Sequence, residues 1–322
     1  MANASSLDER HRVVIVGAGR VGATIAYASL ISGVANSITL VDRDPERAEG
    51  EAMDLLHGLP YVPPATIEAA GIDACADADV VVLTAGAARQ PGDTRLDLAR
   101  RNLALTAEIV PKVTATGFAG VFVVVSNPVD LATLAVQRIS GFPPSRVVGT
   151  GTTLDTARLR SLLARHFKID ARNVHTYVIG EHGESEVPVW SLARIANLTL
   201  EDFARATSRR WDAGIRDAIA DRVLRAGAEV IRRKGATYYA IALATTRVAA
   251  SVLRDARTVL TVSTVLGGEQ GVHDVALSLP CIIGRGGRLT TIPLSLEPSE
   301  QAAFARSADL LRSAYEEAGG PV

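Results

Sequence analysis

Cysteine is scarce in this sequence, and its two cysteines form no recognisable pattern. The chain has 322 residues, and Cys75 and Cys281 lie far apart, with no CxxC motif and no Cys/His cluster. Disulfide-rich secreted domains and zinc proteins depend on closely spaced cysteines. The sequence therefore argues against a disulfide framework or a metal site, and it is consistent with a reducing, cytoplasmic environment.

Long apolar runs and an excess of one charge are missing as well. No apolar run reaches the ~20 residues that a membrane helix needs, and the polar residues 1–11 are expected to form a loose tail without a signal sequence. The formal net charge is −1, from 34 basic and 35 acidic residues. Bulk charge thus favours neither nucleic acid nor a membrane as partner, and the composition is that of an ordinary globular protein.

Short apolar runs in the first half of the chain alternate with helical patterns. The runs are continuous and β-branched, which is typical of strands covered on both faces. Strand–helix–strand alternation predicts an α/β fold with a doubly wound parallel Rossmann sheet. The strand runs are Val13–Val16, Ile38–Val41, Val80–Leu83, Val121–Val125 and Val147–Val148, and the helical stretches include Ala23–Ser32 and Leu96–Thr114.

The pattern changes after about residue 150. Leu154–Phe167 and Glu201–Arg233 each read as one long helical segment, and Thr258–Ile283 reads as antiparallel strands with a turn at Gly267 and Gly268. A mixed α+β second domain is therefore expected. The predicted division is a tail at 1–11, a dinucleotide-binding Rossmann domain at 12–150 and a catalytic substrate domain at 151–322.

A glycine-rich loop follows the first predicted strand and opens a helix. Its glycines are Gly17, Gly19 and Gly22, and Asp42 ends the next strand 20 residues later. Glycines at this spacing let backbone N–H groups approach a pyrophosphate at a helix N-terminus, and the acid accepts hydrogen bonds from a ribose. The carboxylate favours NAD over NADP, although Arg43 beside it leaves some tolerance of NADP open.

A histidine flanked by glycines is the main candidate for proton chemistry. His182 lies between Gly180 and Gly183, with Glu181 directly before it, and Asp155 and Arg158 lie three residues apart in a predicted helix. An imidazole suits proton transfer near neutral pH, a carboxylate can orient it, and a guanidinium can bind a substrate carboxylate. Taken separately, an Asp-x-x-Arg pair and a lone histidine are more often a solvated helix face and a structural residue.

Together these residues resemble the L-lactate/malate dehydrogenase family, and most of all the bacterial L-lactate dehydrogenases. The resemblance runs from Val13 to about Arg288. It implies NAD as cofactor and a small 2-keto or 2-hydroxy acid as substrate. The matching motifs are Ser126–Asp130, Leu154–Arg158, Gly180–Gly183, Lys234–Tyr239 and Leu277–Pro280.

The resemblance also implies individual roles. His182 is the proton donor and acceptor, Asp155 is its partner, and Arg158 binds the substrate carboxylate. A mobile loop, Ala88–Arg95, closes over the site, where Arg95 polarises the substrate carbonyl. Further contacts are implied for substrate at Asn127 and Thr237 and for cofactor at Ser126.

One residue of this lid departs from the lactate dehydrogenase pattern. Arg89 stands where those enzymes have Gln, and Arg is the malate dehydrogenase residue because it can pair a second carboxylate. Thr237, Glu181 and Ser185 nevertheless match lactate dehydrogenases. The sequence therefore favours oxaloacetate/L-malate, with pyruvate/L-lactate as the alternative if Arg89 faces solvent and Gln90 takes its place.

Regulation and assembly follow from the same resemblance. Arg160 and His175 match the pair that binds fructose 1,6-bisphosphate between subunits of allosteric bacterial lactate dehydrogenases. A homotetramer with an allosteric anion site is expected. Two other classes share a dinucleotide-binding fold. Metal- and NAD-dependent glycosidases need a Cys/His site that this spacing does not offer. A non-catalytic NAD-binding protein would not need His182, Asp155, Arg158 and Arg95 together.

Overall fold

Parallel strands from the first half form the centre of the fold. The computed structural model describes residues 11–87, 92 and 94–321. Six strands lie in the order β3-β2-β1-β4-β5-β6, all parallel, which confirms the predicted doubly wound Rossmann sheet. The elements are β1 Arg12–Val16, α1 Arg20–Ser32, β2 Ser37–Val41, α2 Pro45–His57, β3 Thr66–Ala69, β4 Val80–Leu83, α3 Arg95–Ala115, β5 Val121–Val124, α4 Val129–Ser140 and β6 Val147–Gly149.

Alternate side chains of each central strand enter different cores. On β1, Val13 and Ile15 pack into one cluster, whereas Val14 and Val16 pack into another. Successive side chains of a strand point to opposite faces, so both faces of this sheet are covered. The continuous β-branched runs in the sequence have this cause.

The second half extends the same sheet and adds a helical layer. β12 pairs with β6 in antiparallel orientation, with Ser263 opposite Gly149, so β12, β13 and β14 bring the sheet to nine strands among the described residues. The elements are α5 Thr153–Phe167, β7 Val174–His175, β8 Val178–Ile179, β9 Val187–Pro188, β10 Arg194–Ile195, β11 Leu198–Thr199, α6 Leu200–Ala206, α7 Ala213–Lys234, α8 Tyr239–Leu253, β12 Thr258–Gly267, β13 His273–Gly284, β14 Gly287–Thr291 and α9 Pro298–Glu317.

The prediction of a single helix over Glu201–Arg233 is wrong. The segment forms α6 and α7, separated by residues 207–212. Ser208 adopts a positive φ of 52°, which ends the helical path. Asp212 then starts a new helix, because its side chain accepts a hydrogen bond from the Ile215 N–H at 3.0 Å.

Helix α8 ties the two halves together. It packs against α1 on one face of the first-half sheet, where Val248, Val252 and Leu253 are buried with Ile15 and Ile25. The second half therefore covers part of the first half's sheet. No helix in the described part of the chain is long and apolar enough to cross a membrane.

Candidate active site

The glycine-rich loop between β1 and α1 forms a cradle at the helix N-terminus. Gly17 has a φ of 111°, and a Cβ there would lie 2.6 Å from the Ala85 nitrogen, so a side chain is excluded. A Cβ on Gly22 would lie 1.9 Å from the Gly17 carbonyl oxygen. A Cβ on Gly19 would meet no described atom within 4 Å, so the N-terminus of α1 faces open space there. This arrangement fits a diphosphate bound by backbone N–H groups.

Asp42 is held beside this cradle by the backbone. One of its carboxylate oxygens accepts a hydrogen bond from the Ala18 N–H at 2.7 Å, and the other accepts from the Asp44 N–H at 3.0 Å. These bonds fix the carboxylate next to the glycine loop at the end of β2. Each oxygen retains acceptor capacity, as the ribose contact of a dinucleotide requires.

The ends of β4 and β5 are joined by side-chain hydrogen bonds. The Ser126 hydroxyl donates to the Ala85 carbonyl at 2.6 Å. The buried Asn102 of α3 accepts from the Ala87 N–H at 2.7 Å and donates to the Asn127 carbonyl at 2.5 Å. Asn102 therefore connects the start of the predicted lid to the segment that carries Asn127, whose own side chain is exposed.

His182, Asp155 and Arg158 meet around one buried carboxylate. Nδ1 of His182 lies 2.5 Å from Oδ2 of Asp155, and a guanidinium N–H of Arg158 donates to Oδ1 at 2.7 Å. Asp155 is 1% exposed, Arg158 is 18% exposed and His182 is 28% exposed. The carboxylate is thus sealed, while the imidazole and the guanidinium both reach solvent.

The charges of this group favour a protonated imidazole. Burial opposes the charged form of His182, but the charge and hydrogen bond of Asp155 outweigh burial and raise the pKa of His182 to about 9. Burial also opposes ionisation of Asp155. The charges and hydrogen bonds of His182 and Arg158 prevail, and they hold the pKa of Asp155 below its ordinary value.

The loop that carries His182 is fixed by three different elements. Gly180, with a φ of 85°, exchanges two backbone hydrogen bonds with Ser278 of β13. The Glu181 N–H donates to the Ser307 hydroxyl of α9 at 2.9 Å. The His182 N–H donates to Oδ2 of Asp130, in the first turn of α4, at 2.8 Å. Three consecutive peptide groups are therefore held from β13, α9 and α4.

Arg95 lies at the start of α3 and pairs with a residue of the His182 loop. Its guanidinium lies 2.9 Å from Oε1 of Glu184, and the two side chains are 62% and 74% exposed. Residues 88–91 and 93, and with them Arg89 and Gln90, lie outside the described residues.

The remaining predicted residues lie in three different segments of the second half. Thr237 is half-buried in the connection between α7 and α8. Arg160 lies on α5, where its guanidinium donates to the Ala171 carbonyl at 3.4 Å, and His175 is exposed on β7. Among the described residues, no hydrogen bond joins the side chains of Thr237, Arg160 or His175 to the group formed by His182, Asp155 and Arg158.

Sequence reasoning assigned no role to several acidic residues near His182. Asp130 is the last residue of the Ser126–Asp130 motif, and Glu184 is only two residues from His182. Glu186 has a buried oxygen without a hydrogen-bond partner among the described residues, and burial raises the pKa of its carboxyl to about 8. Asp130 offered one sequence signal, its position at the start of a helix. The other acidic residues offered none, because a contact with a different element leaves no local sequence pattern.

Comparison with known proteins extends over nearly the whole chain. Residues 11–149 match the lactate/malate dehydrogenase NAD binding domain, and residues 152–319 match the lactate/malate dehydrogenase alpha/beta C-terminal domain. An L-lactate dehydrogenase of Thermoanaerobacter sp. (strain X514) is 42% identical over 307 residues, which cover 95% of this chain and 99% of the relative. One from Clostridium botulinum (strain Loch Maree / Type A3) is 42% identical over 309 residues, covering 96% and 97%.

Solved structures agree with these matches. The minor L-lactate dehydrogenase from Enterococcus mundtii, in its ligands-bound form, superposes with a TM-score of 0.92 at 43% identity, covering 95% of this chain and 98% of that one. MGS-M5, a lactate dehydrogenase from a Medee basin deep-sea metagenome library, gives 0.93 at 36% identity, covering 96% and 99%. The glycine cradle and the histidine–aspartate pair thus lie in a fold that is shared over nearly the whole chain, and the chain belongs to the lactate/malate dehydrogenase family, whose members are NAD-dependent oxidoreductases acting on CH–OH donors.

Proposed function

We propose that this protein interconverts a short 2-keto acid and the matching L-2-hydroxy acid, with His182 as the acid and base. The observation that carries this proposal is the 2.5 Å contact between Nδ1 of His182 and Oδ2 of the buried Asp155. Because Asp155 occupies Nδ1, the proton to be exchanged is held at Nε2, on a side chain that is 28% exposed as a whole. The raised pKa keeps that proton in place at neutral pH.

NADH supplies the hydride in this reaction. The chain's own task is to place the substrate and to deliver the proton. Nε2 of His182 donates to the keto oxygen during reduction and accepts the hydroxyl proton during oxidation. Asp155 keeps the ring oriented and stabilises its charged form. Arg158 uses one N–H for Asp155, and its remaining N–H groups bind the substrate carboxylate.

The cofactor is assigned to the first half of the chain. Gly17, Gly19 and Gly22 form the diphosphate cradle, Asp42 accepts from the adenosine ribose, and Ser126 lies where β5 ends. Residues 12–150 then bind NAD, and residues 151–322 supply the acid, its partner and the carboxylate clamp. The site lies where these two parts meet.

Lid closure is assigned to the loop 88–95. Arg95 pairs with Glu184 at the surface, so it has to leave that pair before it polarises the substrate carbonyl. Both side chains are well exposed, and an exposed ion pair contributes only ~0.2–1 kcal/mol. Breaking the pair is therefore a small barrier to closure. Asn127 and Thr237 complete the proposed substrate contacts.

Pyruvate and L-lactate are the first candidate pair. The relatives that share 42% identity over nearly all of this chain are named L-lactate dehydrogenases, which supports a lactate-type reaction. The second candidate pair is oxaloacetate and L-malate, which Arg89 favours, since a guanidinium enclosed beside a methyl group lacks a partner. Arg89 alone would put oxaloacetate and L-malate first, and the relatives' names support putting pyruvate and L-lactate first instead.

The direct test is a steady-state assay of NADH oxidation with pyruvate and with oxaloacetate on the purified protein. We expect both acids to be reduced, with the higher kcat/KM for pyruvate. A higher kcat/KM for oxaloacetate would move the second pair to first place. If neither acid supports NADH oxidation, the proposed function is wrong.

Assembly into a homotetramer with a bisphosphate site is a further part of the proposal. Arg160 on α5 and His175 on β7 lie on elements that contact each other, and both side chains reach the surface. Two copies brought together by a twofold axis would place like charges opposite one another. Fructose 1,6-bisphosphate bound between them would neutralise those charges and favour the assembled form.

A further inference from the structure

Asp130 is a buried carboxyl group that the dehydrogenase mechanism does not use. It lies in the first turn of α4, is 2% exposed, and accepts the His182 backbone N–H at 2.8 Å. Its other oxygen has no hydrogen bond of ordinary geometry among the described residues. The buried Ser263 hydroxyl is close enough to favour the charged form, without forming such a bond.

Burying a carboxylate at this position costs free energy. The two neighbouring peptide groups are held by neutral partners, Gly180 by the Ser278 backbone and Glu181 by the Ser307 hydroxyl. A serine or an asparagine at position 130 could equally accept the His182 N–H. Burial instead raises the pKa of Asp130 to about 6, against the opposing effects of the Ser263 hydroxyl, the His182 N–H and the His182 charge. Hydrogen bonding alone therefore does not account for an acid here.

The charge of Asp130 remains available at neutral pH. A pKa of about 6 leaves the carboxyl ionised above that pH. The N-terminal end of α4 also favours a negative charge in its first turn. His182 thus has two anionic neighbours: Asp155, which contacts its ring directly, and Asp130, which contacts its main chain.

We propose that Asp130 is a positioning residue that both fixes the main chain of His182 and keeps its imidazole protonated, so that α4 contributes to the acid strength of the catalytic group. This inference rests on the proposed role of His182 as proton donor. It assigns part of the electrostatics of the acid to the helix that follows the Asn127 segment.

The other charged groups around His182 are consistent with this division. Asp155 favours the protonated ring and Arg158 opposes it, both from α5. Glu181 and Glu186 lie on the same loop as His182, and the charge of His182 acts on Glu186, while Glu181 acts on Asp130. Among these, Asp130 alone both bonds the His182 backbone and acts on its ring.

The test is the pH dependence of kcat/KM for keto acid reduction in Asp130→Asn. The amide keeps an acceptor for the His182 N–H and removes the charge. We expect the alkaline limb, where activity falls as the imidazole loses its proton, to move to lower pH by on the order of half a unit to one unit. The plateau below the limb should fall by less than ~10-fold, because the backbone contact is kept.

Ser307→Ala is the matched control, since it removes the neighbouring neutral contact to Glu181. Its plateau should fall, but its limb should coincide with that of the unmodified protein. NADH titration checks that each variant is folded. If the amide at 130 is not tolerated, Asp130→Ser supplies a smaller neutral acceptor for the same measurement.

The outcomes separate the inference from the proposed function. An unshifted limb in folded Asp130→Asn, or an equal shift in Ser307→Ala, overturns the role of the Asp130 charge. If the unmodified protein reduces no keto acid, or if His182→Asn retains its turnover, the proposed function fails instead. A shift confined to the position-130 variants supports the inference.

Discussion

His182 and Arg158 bind the two oxygens of one carboxylate, that of Asp155, at 2.5 Å and 2.7 Å. The proposed acid and the cation proposed to bind the substrate carboxylate are therefore set relative to each other by a single planar group. A shift of Asp155 would move both together. Positioning of this kind lowers the entropic barrier of the reaction, since two catalytic contacts depend on one fixed unit.

Replacing the proposed acid should lower turnover strongly and leave cofactor binding nearly intact. In His182→Asn we expect kcat to fall by ~10²–10⁴, the range for a positioned general acid. NADH affinity, measured by fluorescence titration, should be nearly unchanged because His182 lies outside the glycine cradle. His57→Asn, at the exposed end of α2, is the control. Near-normal turnover in His182→Asn would remove His182 from the mechanism.

The two directions of the reaction should respond to pH in opposite ways. Reduction needs the protonated imidazole, so its kcat/KM should be flat below and should fall above the His182 pKa of about 9. Oxidation needs the neutral imidazole, so its kcat/KM should rise over the same range.

Asp155→Asn removes the more effective of the two negative charges, those of Asp155 and Asp130, that oppose the effect of burial on His182. The pKa of His182 should then fall below its ordinary value of 6.5, and the limb for reduction should move down by at least ~2 units. Parallel pH profiles of the two proteins provide the measurement. A limb that stays in place would show that another group controls the profile.

Cofactor choice should depend on Asp42. A 2′-phosphate beside this carboxylate suffers like-charge repulsion, so NADH should exceed NADPH in kcat/KM by at least ~10-fold. Asp42→Ser should narrow that ratio, and it should also weaken NADH binding, because two backbone N–H groups share one hydroxyl.

Asp44→Ser is the control for this substitution, since serine keeps the cap of α2 and leaves Asp42 in place. The ratio of kcat/KM for NADH over NADPH should be unchanged in Asp44→Ser. Equal efficiency with both cofactors in the unmodified protein would contradict the role of Asp42.

Substrate choice should depend on Arg89. Arg89→Gln keeps a similar length but removes the charge, so a substrate with a second carboxylate loses its partner. We expect the ratio of kcat/KM for pyruvate over oxaloacetate to rise by at least ~10². Gln90→Ala is the control. If only the Gln90 variant changes the ratio, Arg89 faces solvent and Gln90 faces the substrate.

The bisphosphate site can be tested by mass and by kinetics together. Fructose 1,6-bisphosphate should lower the half-saturation concentration of the keto acid and increase the oligomer mass measured by light scattering. Arg160→Gln and His175→Gln should abolish both effects, whereas Arg165→Gln, on the exposed face of the same helix, should keep them. If the bisphosphate changes neither quantity in the unmodified protein, the allosteric proposal fails.

Local sequence pattern located five of the six parallel strands but not β3, and it singled out the proposed acid. Continuous β-branched runs located β1, β2, β4, β5 and β6, because a strand covered on both faces has no polar alternation. The local sequence pattern also indicated His182, Asp155 and Arg158, because a helical spacing and a loop with two glycines can be seen in the sequence.

Contacts between distant elements had no such signal. The hydrogen bond from His182 to Asp130 spans 52 residues, and that from Asn102 to Asn127 spans 25. The break between α6 and α7 was missed for a different reason. The apolar periodicity continues across it, and only the positive φ of Ser208 and the cap at Asp212 interrupt the helix.

The packing of α8 on α1 bears on how such enzymes can recombine. A chimera joined near residue 150 would place a foreign α8 over this Rossmann sheet, opposite Ile15 and Ile25. Each mismatched apolar side chain there would cost about 1–3 kcal/mol. Exchange of substrate domains between relatives should therefore succeed only when the recipient's own α8 is retained or when α1 is exchanged together with the donor's α8. In this chain, the part proposed to select the substrate and the part proposed to bind the cofactor are linked by the contact between α8 and α1.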